Sequence, residues 1–206
     1  MAAYVELINE AKIQISLRDM YNLYHHVLRC KNLEGDMAEV GVFQGGSAKL
    51  ISMFKGNARL HLFDTFEGMP TTDAKIDWHT AGDFAATKLE NVQAYLKNYP
   101  GIEYHVGFFP DSVDSATAAR KFSFVHLDAD IYQSTLDGLN FFYPRLSDGG
   151  VLISHDYASR TCPGVKAAFD TFCAANKVKA HPIWDTQCII VKDSVTAPVM
   201  AQISAH

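Results

Sequence analysis

Glu39-Val40-Gly41-Val42-Phe43-Gln44-Gly45-Gly46-Ser47 is a glycine-rich turn that leaves an apolar run and enters a helical one. Two later apolar runs close on acidic turns, Asp128-Ala129-Asp130 and His155-Asp156-Tyr157. Strand-like runs that alternate with helical ones imply a mostly parallel sheet with right-handed crossovers. In an open sheet of this kind, ligands bind in the crevice outside the strand ends. All three turns are therefore expected at one crevice, where a nucleotide-type cofactor loop meets a divalent-metal site. That pairing points to metal-assisted group transfer.

The pattern on either side supports this fold. Residues 37–42 read as a strand and 47–54 as a helix. A second strand spans 59–66, and a polar stretch follows from Gly68 to Gly82. Asp83 is placed to cap a helix that runs to about residue 96, before a short strand at 102–106. Residues 122–127 form a fourth strand, 135–143 a helix, 151–154 a fifth strand and 165–175 a helix. The last two strands, 179–183 and 187–191, are joined so tightly that they are expected to form an antiparallel hairpin. The expected architecture is thus α/β, a Rossmann-like doubly wound sheet with a C-terminal antiparallel hairpin. Ahead of it, Ser16 and Asp19 resemble a capping box, and Leu17, Met20, Tyr21, Tyr24, Val27 and Leu28 recur at helical spacing. Residues 1–34 are read as a helical segment and candidate lid, and 35–206 as the domain that carries the chemistry.

Composition narrows the partners. The 206 residues are 48% hydrophobic and carry a formal net charge of −5, with no basic groove or arm, which argues against nucleic acid. No apolar run approaches the ~20 residues needed to span a bilayer, and the start, Met1-Ala2-Ala3-Tyr4, lacks a basic-then-apolar leader. A cytoplasmic protein without membrane contact is expected, and a homodimer stays open. Cys30, Cys162, Cys173 and Cys188 form no CxxC pair and no metal-ligand spacing, so reduced, partly buried thiols are expected.

In a dinucleotide-binding loop, the second glycine lets the backbone approach a pyrophosphate at the helix N-terminus. Phe43 occupies that place here, and Glu39, two residues before Gly41, would repel an anionic ligand. A cofactor with an amino group and a sulfonium suits the loop better. S-adenosylmethionine has both, and its carboxylate can take backbone N–H groups where the helix opens at Gly45 and Ser47. Asp64 ends the second strand, close to the ~20-residue spacing of a carboxylate that accepts ribose hydroxyls. Glu39, Gly41, Val42, Phe43, Gly45, Ser47, Asp64 and Thr65 are the candidate cofactor contacts of this half. In the other half, Asp128 and Asp130 are costly to place together unless a cation or a proton relieves their repulsion. Asp156 closes the next strand and could meet Asp128 across neighbouring strand ends. Mg²⁺ suits such carboxylates and leaves positions for substrate oxygens. His155 is a third candidate ligand, although imidazole suits zinc, nickel or iron better.

Five stretches together resemble the macrocin O-methyltransferase (TylF-like) family. They are Gly35 to Val42 with Gly45-Gly46, Leu62 to Pro70, Gly107 to Ser112, Leu127 to Thr135 and Gly149 to Tyr157. The resemblance implies a class I S-adenosylmethionine-dependent methyltransferase with a divalent metal and a small hydroxylated acceptor, such as a sugar, polyol or natural product. Carried across, Asp128 and Asp156 match metal ligands, Asp130 the general base and Asp64 the ribose contact. Asp128 also borders the cofactor, and the turn at Phe109 and Pro110 should border the adenine. The chain departs from the family at His155, where a carboxylate is usual, and at Phe43-Gln44, where a Trp-Arg pair is usual. Two alternatives remain at this level: a glycosyltransferase with an Asp-x-Asp metal motif, and a non-catalytic S-adenosylmethionine-binding module.

Overall fold

The computed structural model describes Leu7 and residues 14–193. Five parallel strands, β1 (Asp36–Val40), β2 (Leu60–Asp64), β3 (Ile102–Val106), β4 (Phe122–Leu127) and β5 (Leu146–Ser154), precede an antiparallel pair, β6 (His181–Pro182) and β7 (Cys188–Val191). Across the sheet the order is β3-β2-β1-β4-β5-β7-β6, with β7 antiparallel to β5. The helices are α1 (Leu17–Cys30), α2 (Gly46–Phe54), α3 (Leu89–Leu96), α4 (Ser115–Ala118), α5 (Tyr132–Phe142) and α6 (Pro163–Asn176). The doubly wound sheet and its closing hairpin are those expected from the alternation of patterns.

Element ends differ from the sequence reading for identifiable reasons. β1 stops at Val40 because Gly41 turns the chain at φ 85° and the Asp64 carboxylate draws the Val42 and Phe43 N–H groups away from the ladder. Asp83 caps no helix. It accepts hydrogen bonds from the Thr80 N–H and the His79 ring in a tight turn, and α3 begins only after Lys88. α5 starts at Tyr132 rather than residue 135, because Asp77 Oδ1, from far along the chain, accepts the Tyr132 N–H at 2.9 Å. β5 begins at Leu146 rather than residue 151, carried through a register shift by Gly149 and Gly150.

The sheet is buried on both faces. Met20, Leu23 and Val27 of α1 and Leu50 and Ile51 of α2 share one core cluster with Met37, Leu62 and Phe124. Leu139 and Phe142 of α5 and Val165, Phe169 and Phe172 of α6 share the other with Val40, Phe63 and Leu127. The Ser16–Asp19 capping box is formed as expected and starts α1. Each fully buried apolar side chain is worth about 1.5–3 kcal/mol, so α1 is held firmly against the sheet. Polar ties reach from it to the hairpin: Ser16 Oγ donates to Asp185 Oδ2 at 2.9 Å, and Asn22 Nδ2 to Gln187 Oε1 at 2.9 Å. All four cysteines are free, with Cys30, Cys162 and Cys188 buried. Among the described residues, no helix is long and apolar enough to cross a membrane.

Candidate active site

Parallel register sets the geometry of the site. Val40 stands opposite both Phe63 and Leu127, and Leu127 opposite Ser154. The ladder continues one step further through Gly41 N–H to Phe63 O, Asp128 N–H to Val40 O and His155 N–H to Leu127 O, at 3.0, 2.9 and 3.1 Å. Gly41, Asp128 and His155 therefore leave the sheet at one level, where the strand order reverses between β1 and β4. Gly41 has to be glycine there, since a Cβ would stand 1.8 Å from Asp128 O.

The first turn is stapled by Asp64. Its Oδ2 accepts the Val42 and Phe43 N–H groups at 2.7 and 3.1 Å, and its Oδ1 accepts Phe66 N–H at 2.7 Å. Phe43, in the second-glycine place, takes the left-handed φ of 48° and sets its ring edge-on to Phe84, 5.6 Å away. A non-glycine residue in that region costs roughly 1–3 kcal/mol, which the two amide bonds and the ring contact offset. Gly45 then turns the chain at φ 85° into α2.

A cleft opens above these strand ends. Its walls include Gly41, Val42, Phe43, Ser47, Asp64, Thr65, Phe109, Asp128, Asp130 and His155. Glu39, Gly45 and Asp156 do not line it, although the sequence reading gave each a site role. Glu39 lies beneath the turn, wholly buried, with Oε1 2.8 Å from His126 Nδ1 and a further hydrogen bond from Ser47. Burial raises its carboxyl above the ordinary value. It is thus a support of the turn from below, where the sequence reading had placed a cofactor contact.

The acidic turns meet around one imidazole. His155 Nδ1 stands 3.1 Å from Asp128 Oδ1 and 3.1 Å from Asp156 Oδ2, and its Nε2 is 3.7 Å from Asp19 Oδ2. Burial works against charge on His155, but Asp128 and the hydrogen bonds to Asp128, Asp156 and Asp19 push its pKa far up. Burial likewise raises Asp128, yet the His155 charge and hydrogen bond hold it down at about 2. One donor atom each from Asp128, His155 and Asp156 lies within 4.8 Å of the others. Separations of 3.1 Å match adjacent donors about 2.1–2.2 Å from an octahedral ion, so the set fits a divalent cation. Its nitrogen favours first-row transition metals over Mg²⁺.

Asp130 is turned off the strand at φ 59° and shares a side-chain hydrogen bond with Asp156 of this trio. Burial, then the charges of Asp128 and Asp156, raise its carboxyl well above the ordinary range. Sequence reading missed three neighbours. Asp19 reaches His155 from α1, Asp77 caps α5, and Cys162 Sγ sits 3.7 Å from Asp130 Oδ1. None is signalled by local spacing.

The sequence pattern of the macrocin-O-methyltransferase (TylF) family matches residues 13–192. The chain is 32% identical over 170 residues to the 8-demethyl-8-(2,3-dimethoxy-alpha-L-rhamnosyl)-tetracenomycin-C 4'-O-methyltransferase of Streptomyces olivaceus, which covers 74% of this chain and 65% of that one. It is 31% identical over 162 residues to the demethyldecarbamoylnovobiocin O-methyltransferase of Streptomyces niveus, covering 69% and 60% respectively. The chain thus spans under two thirds of the length of these curated relatives. Among solved structures, the O-methyltransferase NovP superposes with a TM-score of 0.78 at 24% identity, covering 89% of this chain and 83% of that one. An O-methyltransferase from Bacillus cereus in complex with SAH gives 0.64 at 14% identity, covering 93% and 91%. At such identities these superpositions speak for the shared fold alone.

Proposed function

Because the chain belongs to the macrocin O-methyltransferase (TylF) family, we propose that it is an O-methyltransferase that uses S-adenosylmethionine and a divalent metal. Its acceptor on this reading is a hydroxyl of a small molecule, in the class of sugar-bearing natural products. One observation carries the reading: the level strand ends bring the Asp64-stapled turn, Asp128, His155 and Asp130 to a single cleft, with Asp156 behind His155.

The residues fit the cofactor. Asp64 Oδ2 already accepts two turn amides, but Oδ1 accepts one and keeps a lone-pair site that can take a ribose hydroxyl. Val42 and Phe43 border the same wall, Phe109 offers an apolar face for the adenine, and the start of α2 at Ser47 presents N–H groups to a carboxylate. S-adenosylmethionine supplies a methyl group on a sulfonium, already on a good leaving group. Asp128, His155 and Asp156 would hold the metal, whose Lewis acidity makes an acceptor hydroxyl easier to deprotonate. Asp130, on the cleft wall two residues past Asp128, accepts the proton. Gln14 and Ile15, on the cleft wall just ahead of α1, are the part of the N-terminal segment placed to serve as a lid.

Calorimetry with S-adenosylmethionine, with UDP-sugars and with NAD, each with and without Mg²⁺ or Mn²⁺, tests the assignment. Saturable heat is expected for S-adenosylmethionine alone among the three. Heat with UDP-sugars and none with S-adenosylmethionine would replace this reading with glycosyl transfer. Cofactor binding without methyl transfer to any hydroxylated acceptor would reduce the protein to a binding module.

A further inference from the structure

A second set of metal-ligating atoms converges around Asp130, which lines the cleft. His79, Asp130 and Cys162 each offer one donor within 4.8 Å of the others. Cys162 Sγ is 3.7 Å from His79 Nε2 and 3.7 Å from Asp130 Oδ1. In a tetrahedral site with metal–sulfur bonds of about 2.3 Å and metal–nitrogen or –oxygen bonds of about 2.0–2.1 Å, adjacent donors stand roughly 3.3–3.7 Å apart. Both sulfur separations already match.

The surroundings are those of ligands. His79 Nδ1 lies 3.1 Å from Asp83 Oδ2, which leaves Nε2 facing the thiol. A carboxylate on the far ring nitrogen is the usual orienting partner of a metal-bound histidine. Hydrogen bonds from Thr80 N–H and His79 keep Asp83 ionised, below the ordinary carboxylate value. Cys162 is the N-cap residue of α6 and makes no side-chain cap bond; its sulfur faces the cluster and also meets Thr161 Oγ1 at 3.7 Å. In the metal-free protein, burial and then the charges of Asp156 and Asp130 push this thiol up to about 12. A cation there would relieve all three.

We propose that His79, Asp130 and Cys162 form a binding site for a soft divalent cation of the zinc type, distinct from the oxygen-rich Asp128–His155–Asp156 set. The three ligands come from the β2–α3 connection, the turn after β4 and the start of α6. Occupancy therefore ties the connection to the turn after β4 and to α6. It also takes Asp130 out of use as a proton acceptor, so the ion acts as an inhibitory latch.

Cobalt substitution of the full chain tests this without reading methyl transfer, so it stands or falls apart from the proposed activity. Co²⁺ titration of the reduced protein should give a saturable near-ultraviolet thiolate-to-cobalt band, which the thiol-free Asp128–His155–Asp156 set cannot produce. Zn²⁺ should abolish it and excess Mg²⁺ should not. Cys162→Ser should remove the band, and Cys173→Ser should keep it. His79→Ala, at a partly exposed loop position where folding is not at stake, should weaken Co²⁺ binding at least tenfold. Asp83→Asn should weaken it about 10–100-fold, as expected for an orienting partner. Absence of the band in the wild-type chain, or a band unchanged in both Cys162→Ser and His79→Ala, would overturn the proposal.

Discussion

The carboxylate of Asp64 accepts the Val42, Phe43 and Phe66 N–H groups before any ligand arrives. Its replacement therefore reaches beyond a ribose contact. Asp64→Ala should lose S-adenosylmethionine affinity by about 1.5–3 kcal/mol for each charge-assisted bond to the ligand, and should also lower the melting temperature by freeing the turn. Calorimetry beside thermal unfolding separates the two effects, and unchanged affinity would remove Asp64 from the cofactor site. Asp130→Asn keeps the shape but cannot take a proton, so turnover should fall by roughly two to four powers of ten while cofactor affinity holds. If the Asp128–His155–Asp156 set loses its metal instead, with turnover kept at saturating metal, Asp130 is a ligand of that set and the base lies elsewhere. At this scale the sequence was legible where motif and strand end coincide, as at Asp64, Asp128 and His155. It was silent on Cys162. The thiol's partners, His79 and Asp130, lie far away in the chain, so no spacing rule joins them. Glu39 misled because the residue adjoining a cofactor turn can point beneath it as readily as into the cleft.

β1 and its turn depend on close backbone contact. A methyl group at residue 41 would collide with the Asp128 carbonyl, at a φ that disfavours any side chain. Gly41→Ala should therefore destabilise the fold by more than about 2 kcal/mol, visible as a lowered denaturation midpoint. α1 carries a titrating liability. Burial, and then the charges of His25 and Arg29, lower His26 to about 4 from an ordinary 6.5. The folded protein holds this ring neutral, whereas the unfolded chain takes up a proton as the pH falls below 6.5. Stability is then lost progressively from pH 6.5 down to about 4, and no further below that from this residue. Thermal unfolding across that window should fall less steeply for His26→Gln than for the wild type; equal slopes would discount the residue. Elements with a strong period, such as α1 and β4, were legible from the chain. Those whose ends are set from afar, such as α5 with its Asp77 cap, were not.

At the scale of the whole molecule, α1 joins the hairpin to the site. Gln187 is fully buried, accepts from Asn22 Nδ2 and donates to the Asp19 carbonyl, while the Asp19 side chain faces His155. Gln187→Ala should cost about 1–3 kcal/mol by leaving buried polar groups unpaired. It should also raise amide exchange in α1 ahead of global unfolding; unchanged exchange there would deny the link. Parallel topology was legible from alternation, but which residues would stand level at the strand ends was not, because register is set by pairing across the sheet. That level ending has a consequence for descent. Gly41, Asp128 and His155 are fixed by neighbouring backbones, so lengthening or shortening the connections that follow shifts none of them. Insertion and deletion in those connections can thus reshape the cleft walls while the three strand-end residues keep their places.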